Sequence, residues 1–216
     1  MVCNYNMFII LLVSVFMSCI NSETKLPETA LNIPANNDDD CDDPDADVAC
    51  CFRNMPASVS EIMVIAGATE PGERLLITGR VLKKDGVTPI PDVLIYAYHT
   101  DNKGYYSKTG SEKGFQKWHG KLHGWCKTGA DGSYEIHTIR PASYPNSSQP
   151  AHIHAALKVS GSSNPFYIGD YIFSDDPYVK HGNPPPVSRY PGGSGVVTLE
   201  QVDGVWQGQR NIIIDN

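Results

Sequence analysis

The stretch His152-Ile153-His154-Ala155-Ala156-Leu157-Lys158-Val159 decides how this chain is read. Side chains of a β-strand point alternately to opposite faces. Ile153, Ala155, Leu157 and Val159 therefore share one face and read as core. His152 and His154 share the other face, about 6.6 Å apart by backbone rise. Two imidazoles on one strand face can ligate one metal ion, and the intervening Ile anchors the strand that presents them. The same pattern also occurs as ordinary surface histidines, so the pair by itself does not establish a metal site.

Outward from this strand the pattern stays β. Residues 75–82, 93–98, 134–139 and 196–202 are short runs rich in β-branched and aromatic residues. Asp85-Gly86, Asp131-Gly132 and Asp203-Gly204 sit at or between such runs as tight-turn signals. No long 3.6-residue periodicity follows Ile65. These features predict an all-β chain, a β-sandwich with long irregular loops. Residues 182–195 hold four Pro and four Gly, a long loop able to rim a site.

The 216 residues suffice for one medium domain, and 41% hydrophobic with 19% charged residues excludes a disordered chain. A formal charge of -7 argues against a nucleic-acid partner. Seven Asp between Asp38 and Asp47 account for it; the remainder carries 17 acids and 17 bases. That run lacks the Gly and closing Glu of an EF-hand loop and reads as a solvated charge run. Residues 7–17 are apolar except Ser14, short of the ~20 residues a membrane span needs. Ser18, Cys19, Asn21 and Ser22 follow, so residues 1–22 read as a secretory signal peptide, although no Lys or Arg precedes the apolar run. The expectation is a secreted, extracellular protein with no membrane association, an acidic flexible arm over 23–48 and one domain over 49–216. Cleavage would leave Cys41, Cys50, Cys51 and Cys126. Two disulfides are expected, Cys126 joining Cys50 or Cys51 and Cys41 taking the other, which would staple the arm to the domain. No CxxC pair is present, which argues against a thiolate zinc site.

Around the histidine strand lie more specific landmarks. These are Tyr98-His99-Thr100-Asp101-Asn102-Lys103-Gly104-Tyr105-Tyr106, Lys127-Thr128-Gly129-Ala130-Asp131-Gly132-Ser133-Tyr134, Thr138-Ile139-Arg140-Pro141-Ala142-Ser143-Tyr144-Pro145 and Gln149-Pro150-Ala151-His152-Ile153-His154. In this order they resemble the intradiol ring-cleavage dioxygenases, the family of catechol and protocatechuate dioxygenases, over roughly residues 75 to 180. With a signal peptide ahead, the chain is similar to the family's secreted eukaryotic branch.

The resemblance implies a mononuclear, non-haem Fe(III) held by Tyr106, Tyr144, His152 and His154. Phenolates are hard anionic donors that favour the ferric state, and a bound cation supports their ionised form. It also implies that Tyr144 acts in catalysis, taking up a catechol proton. Substrates would be small catechols and O2, and the products muconic acids. Gly104 selects Tyr106 over Tyr105 as the ligand. Gln149 stands where the family commonly has an arginine that stabilises charge on the substrate ring, and is assigned to catalysis as a neutral donor. Asp170 aligns loosely with a family glutamine. Arg140 and Arg189 are candidate replacement cations. The other histidines, His99, His119, His123, His137 and His181, read as surface or packing residues. A full ligand set on one chain implies a monomer. Asn146-Ser147-Ser148 is an N-glycosylation sequon beside Tyr144. The competing readings are a metal-free, transthyretin-like binding module and an iron-binding family member that has lost turnover.

Overall fold

A computed structural model describes residues 41–162, 164–180 and 189–215. The proposed signal peptide, most of the arm, His181 and the first half of the Pro/Gly loop lie outside them. Among the described residues, alternating runs build two six-stranded sheets. The first runs β1 (Ile62–Val64), β5 (Ser133–Ile139), β2 (Arg74–Lys83), β11 (Val205–Gln209) and β10 (Leu199–Val202), with β12 (Ile212–Ile214) also paired to β2. The second runs β4 (His123–Lys127), β3 (Leu94–His99), β6 (His152–Lys158), β8 (Tyr171–Phe173) and β9 (Val196–Val197), with β7 (Phe166–Tyr167) on β6. Two single-turn helices, α1 (Gln116–His119) and α2 (Pro177–Lys180), sit in the connections. No helix among the described residues is long and apolar enough to cross a membrane.

The core forms where period-two patterns from the two sheets meet. Ile77 and Val81 of β2 and Ile136 of β5 face Ile95 and Ala97 of β3 and Ile153, Ala155 and Leu157 of β6, all with zero exposure. Removing this apolar surface from water is what holds the layers together. Register fixes the opposite face: β3 and β6 pair antiparallel with Tyr98 opposite His154 and Ala97 opposite Ala155. Core side chains on one side thus force Tyr96, Tyr98 and His154 to the other.

The expected runs at 75–82, 93–98, 134–139 and 152–159 are β2, β3, β5 and β6. Asp203-Gly204 makes the β10–β11 turn with both residues at positive φ, 50° and 80°, the geometry that favours this dipeptide in a two-residue hairpin. The run 196–202 is not one strand. Val196–Val197 joins the second sheet and Leu199–Val202 the first, so the chain crosses between layers at Thr198 while Val197 and Leu199 stay buried. β4 and β11 carry Gly and polar residues, HGWCK and VWQGQ, and lack the alternation that marks a strand in sequence.

The cysteines require a correction. Cys41 bonds Cys50, with Cα atoms 5.5 Å apart, whereas Cys51 and Cys126 are free and buried. Trp125 and Cys126 are neighbours on β4 and so point to opposite faces. Cys126 enters the core between the sheets. Cys51 packs on the outer face with Tyr96, Tyr98 and Phe115, where its carbonyl accepts from Trp125 Nε1 at 2.8 Å. The sheet separates the two thiols, so Cys126 cannot staple the acidic segment. Burial pushes both up to about 12. The bridge instead closes a local loop of sequence separation nine. Asp47 caps the 3-10 turn Val48–Phe52 by accepting from Ala49 N, and Asp42 pairs with Lys117.

Candidate metal centre

Three segments deliver four side chains to the outer face of the second sheet. β6 supplies His152 and His154. The segment after β5 supplies Tyr144, which Pro145 biases towards extended backbone. The loop after β3 supplies Tyr106, and it is tied down at several points. Asp101 Oδ1 accepts from the amides of Lys103 and Tyr105 at 2.8 and 3.1 Å, and Thr100 Oγ1 donates to Ala142 O at 2.7 Å. Gly104, at φ 86°, lies so close to the Tyr144 segment that a Cβ would sit 2.1 Å from Ser143 O. This glycine lets the two tyrosine loops touch, which is the physical content of the Gly-x-Tyr spacing. Tyr105 turns outward at 57% exposure.

The donor atoms converge. Tyr144 Oη lies 2.6 Å from Tyr106 Oη, 3.1 Å from His152 Nε2 and 3.2 Å from His154 Nε2. The two Nε2 atoms are 3.1 Å apart. Ligands about 2.1 Å from one tetrahedral ion stand roughly 3.4 Å from each other, so this spacing suits a single metal.

Proton accounting points the same way. His152 Nδ1–H donates to Pro150 O at 2.7 Å, and His154 Nδ1–H donates to Asp170 Oδ1 at 2.8 Å. Neutral imidazoles so committed present bare lone pairs at Nε2. Tyr144 has one hydroxyl proton and can satisfy only one of them. Two facing lone pairs at 3.1 Å repel, and a shared cation removes the conflict. Burial depresses the basicity of His152, so protonation is a poor substitute.

Asp170 also clusters with the two histidines as a possible carboxylate ligand. Its contact runs to Nδ1, on the opposite side of the His154 ring from the Nε2 that faces the other donors. It therefore orients His154 rather than completing the donor set. Burial opposes its ionisation, but the hydrogen bond from His154 and neighbouring positive charge hold it below the usual carboxylate range. Burial raises Tyr106 and Tyr144 above the ordinary phenol value.

A family model described as Dioxygenase matches residues 51–184. The chain belongs to the intradiol ring-cleavage dioxygenase family. Catechol 1,2-dioxygenase 1 of Acinetobacter lwoffii is 28% identical over 181 residues, covering 65% of this chain and 56% of the relative. Chlorocatechol 1,2-dioxygenase of Rhodococcus opacus is 33% identical over 129 residues, covering 52% and 48%. This chain spans about half the length of these curated relatives. In fold, it resembles the dioxygenase domain of a dioxygenase–carbohydrate-binding fusion from Streptomyces sp. SirexAA-E. The TM-score is 0.56 at 21% identity, over 74% of this chain and 92% of that one.

In this member of the intradiol dioxygenase family, the remaining sequence candidates divide by place. Gln149 is exposed, and its backbone amide donates to Ser147 Oγ. Arg140 is engaged by Asp175 through two bonds of 2.7 and 2.8 Å, and Arg189 lies over the Tyr190 ring. His99, His119 and His123 pack within the fold, and His137 bonds Glu135. Sequence reasoning missed the layer behind the four candidate donors. Tyr98 stacks on His154 at 4.7 Å and, on its other side, lies parallel to His119 at 3.4 Å. His119 Nδ1 in turn meets Tyr96 Oη at 2.9 Å. The alternation of Tyr96 and Tyr98 on β3 was the available signal; their meeting with α1 depends on the loop's path.

Proposed function

We propose that this chain is an exported, monomeric, Fe(III)-dependent intradiol dioxygenase. It would open small catechols between their two hydroxylated carbons to give muconic acids, consuming O2. The observation that carries the reading is the pair of bare, facing Nε2 lone pairs beside two touching phenols. A metal-free binding module has no use for that arrangement, since the buried conflict only costs stability. All four donors come from one chain, which supports the monomer. The Cys41–Cys50 bridge supports an oxidising compartment and hence export.

Tyr106, Tyr144, His152 and His154 would hold the ion. Ferric iron bound there would supply the Lewis acidity and electron-accepting capacity that activate a catechol towards O2. The protein's own part is proton handling and orientation. Tyr144 touches the other three donors' sphere directly, and burial has raised its proton affinity. Its phenolate is therefore a strong local base, placed to take a proton from an arriving catechol hydroxyl. Tyr106 is held by the Gly104 loop, while Pro150 and Asp170 fix the two imidazole planes.

The test is the purified protein itself. It should bind one iron, be wine-red from tyrosinate-to-iron charge transfer, and change colour in Tyr144→Phe. With catechol it should consume oxygen as muconate absorbance rises. A colourless protein without iron sinks the metal reading; a red protein without oxygen uptake identifies a member that has lost turnover.

A further inference from the structure

Asn146-Ser147-Ser148 is the only Asn-x-Ser/Thr sequon in the 216 residues with a non-proline centre, and the fold presents it in usable form. Asn146 sits at φ 59° at the tip of a turn closed by Ser147 N donating to Tyr144 O at 3.3 Å. The base of the turn is pinned where Gly104 abuts Ser143 O and Pro145, so the tip faces solvent. Asn146 and Ser148 are both exposed. Ser147 Oγ is engaged by Gln149 N. Neither the Asn146 carboxamide nor the Ser148 hydroxyl, the two groups a sequon requires, makes a hydrogen bond among the described residues. The Cys41–Cys50 bridge independently points to an oxidising compartment, where such modification takes place.

We infer that Asn146 carries an N-linked glycan at the rim of the metal centre, two residues from Tyr144. The inference rests on the export reading above. The donor is a lipid-linked oligosaccharide pyrophosphate. A bond forms between Asn146 Nδ2 and the anomeric carbon, the bond from that carbon to the pyrophosphate oxygen breaks, and the amide loses one proton. The sugar then stands on the solvent side of the Tyr144 turn, because the Gly104 contact leaves no space on the other.

The test expresses the full chain from its own N-terminus in insect cells and follows medium and cell fractions separately. The peptide containing Asn146 is analysed by mass before and after enzymatic deglycosylation in heavy-oxygen water. The exported protein should show one glycan, released with conversion of Asn146 to a labelled Asp. Ser147→Ala should keep it, whereas Asn146→Gln and Ser148→Ala should each lose it. Exported chain with this peptide wholly unmodified overturns the assignment alone, as does a glycan that persists in Ser148→Ala. Chain retained in the cell and unmodified overturns the export reading together with it. Iron content and colour, measured on the same material, report on the catalytic reading separately.

Discussion

Histidines on the two faces of the second sheet show how one side chain type becomes structural or is left with a nitrogen open to a metal. His99 points inward, between the sheets. Its Nδ1–H donates to Thr100 O at 2.7 Å and its Nε2 accepts from Thr138 Oγ1 at 2.6 Å. Both nitrogens are satisfied, and burial holds the ring neutral with its pKa near about 4. His152 and His154 point outward, flanking Ile153, the residue paired with His99, by one position on either side. Their Nδ1 atoms are committed as firmly, but each Nε2 has only the other and a shared tyrosine hydroxyl for company. His99 and His152 are both buried and His154 is partly buried, so exposure alone does not separate the structural ring from the outward pair. What separates them is whether the second nitrogen has a donor of its own.

This contrast can be broken at several points. The largest effect is expected for His154→Ala, which should abolish stoichiometric iron, colour and turnover together while the sandwich still folds, read by iron analysis and circular dichroism. Ile153→Ala acts on the inner face between the ligands. It should cost about 2–5 kcal/mol in denaturant unfolding and leave the folded fraction able to bind iron. Retained stability with lost iron would reverse the roles assigned to the two faces.

The pH dependence of stability sharpens the inward case. In the unfolded chain His99 takes up a proton near its ordinary value of 6.5, while in the native state it does so only near about 4. The unfolded state binds more protons in that window, so native stability should fall as pH drops from about 6.5 to 4, by on the order of 3 kcal/mol. His119, held near about 3 by burial, adds a loss of the same sign. His99→Gln should flatten the profile; an unchanged slope would mean that His99 is not the group responsible. The smallest effect is expected for Asp170→Asn, about 10–100-fold in iron affinity or activity with unfolding unchanged. A full loss of iron there would make Asp170 a ligand rather than the group that orients His154.

Much of this was legible because strands encode their faces directly. Ile153, Ala155 and Leu157 inward and His154 outward follow from alternation alone, and the two-residue turn at Asp203-Gly204 follows from its need for positive φ. The tyrosines were legible only through the resemblance of the segments that carry them to the family; Gly104 and Pro145 are consistent with their placement but do not by themselves mark either as a ligand. The cysteine pairing was not legible: Cys41–Cys50 was one of two open alternatives and the expected bond to Cys126 does not form, because adjacent residues on β4 face opposite ways and sequence does not say which side the 3-10 turn will dock. Asp170 and the Tyr98–His119 stack were obscured for a similar reason. Each depends on a partner more than 15 residues away, brought close by sheet register and loop path.

By itself the sequence determined which residue types were available on each strand face, and so the all-β class and the paired histidines; the two tyrosines, which lie on loops, entered only through the resemblance. Local geometry suffices for the strand faces, since a strand's period is set by its own backbone. Only the tertiary structure decided that the four donors meet, that both Nδ1 atoms are committed, and that the thiols lie on opposite sides of a sheet. Those outcomes depend on distances between segments remote in sequence, which hydrophobic burial and strand register establish together.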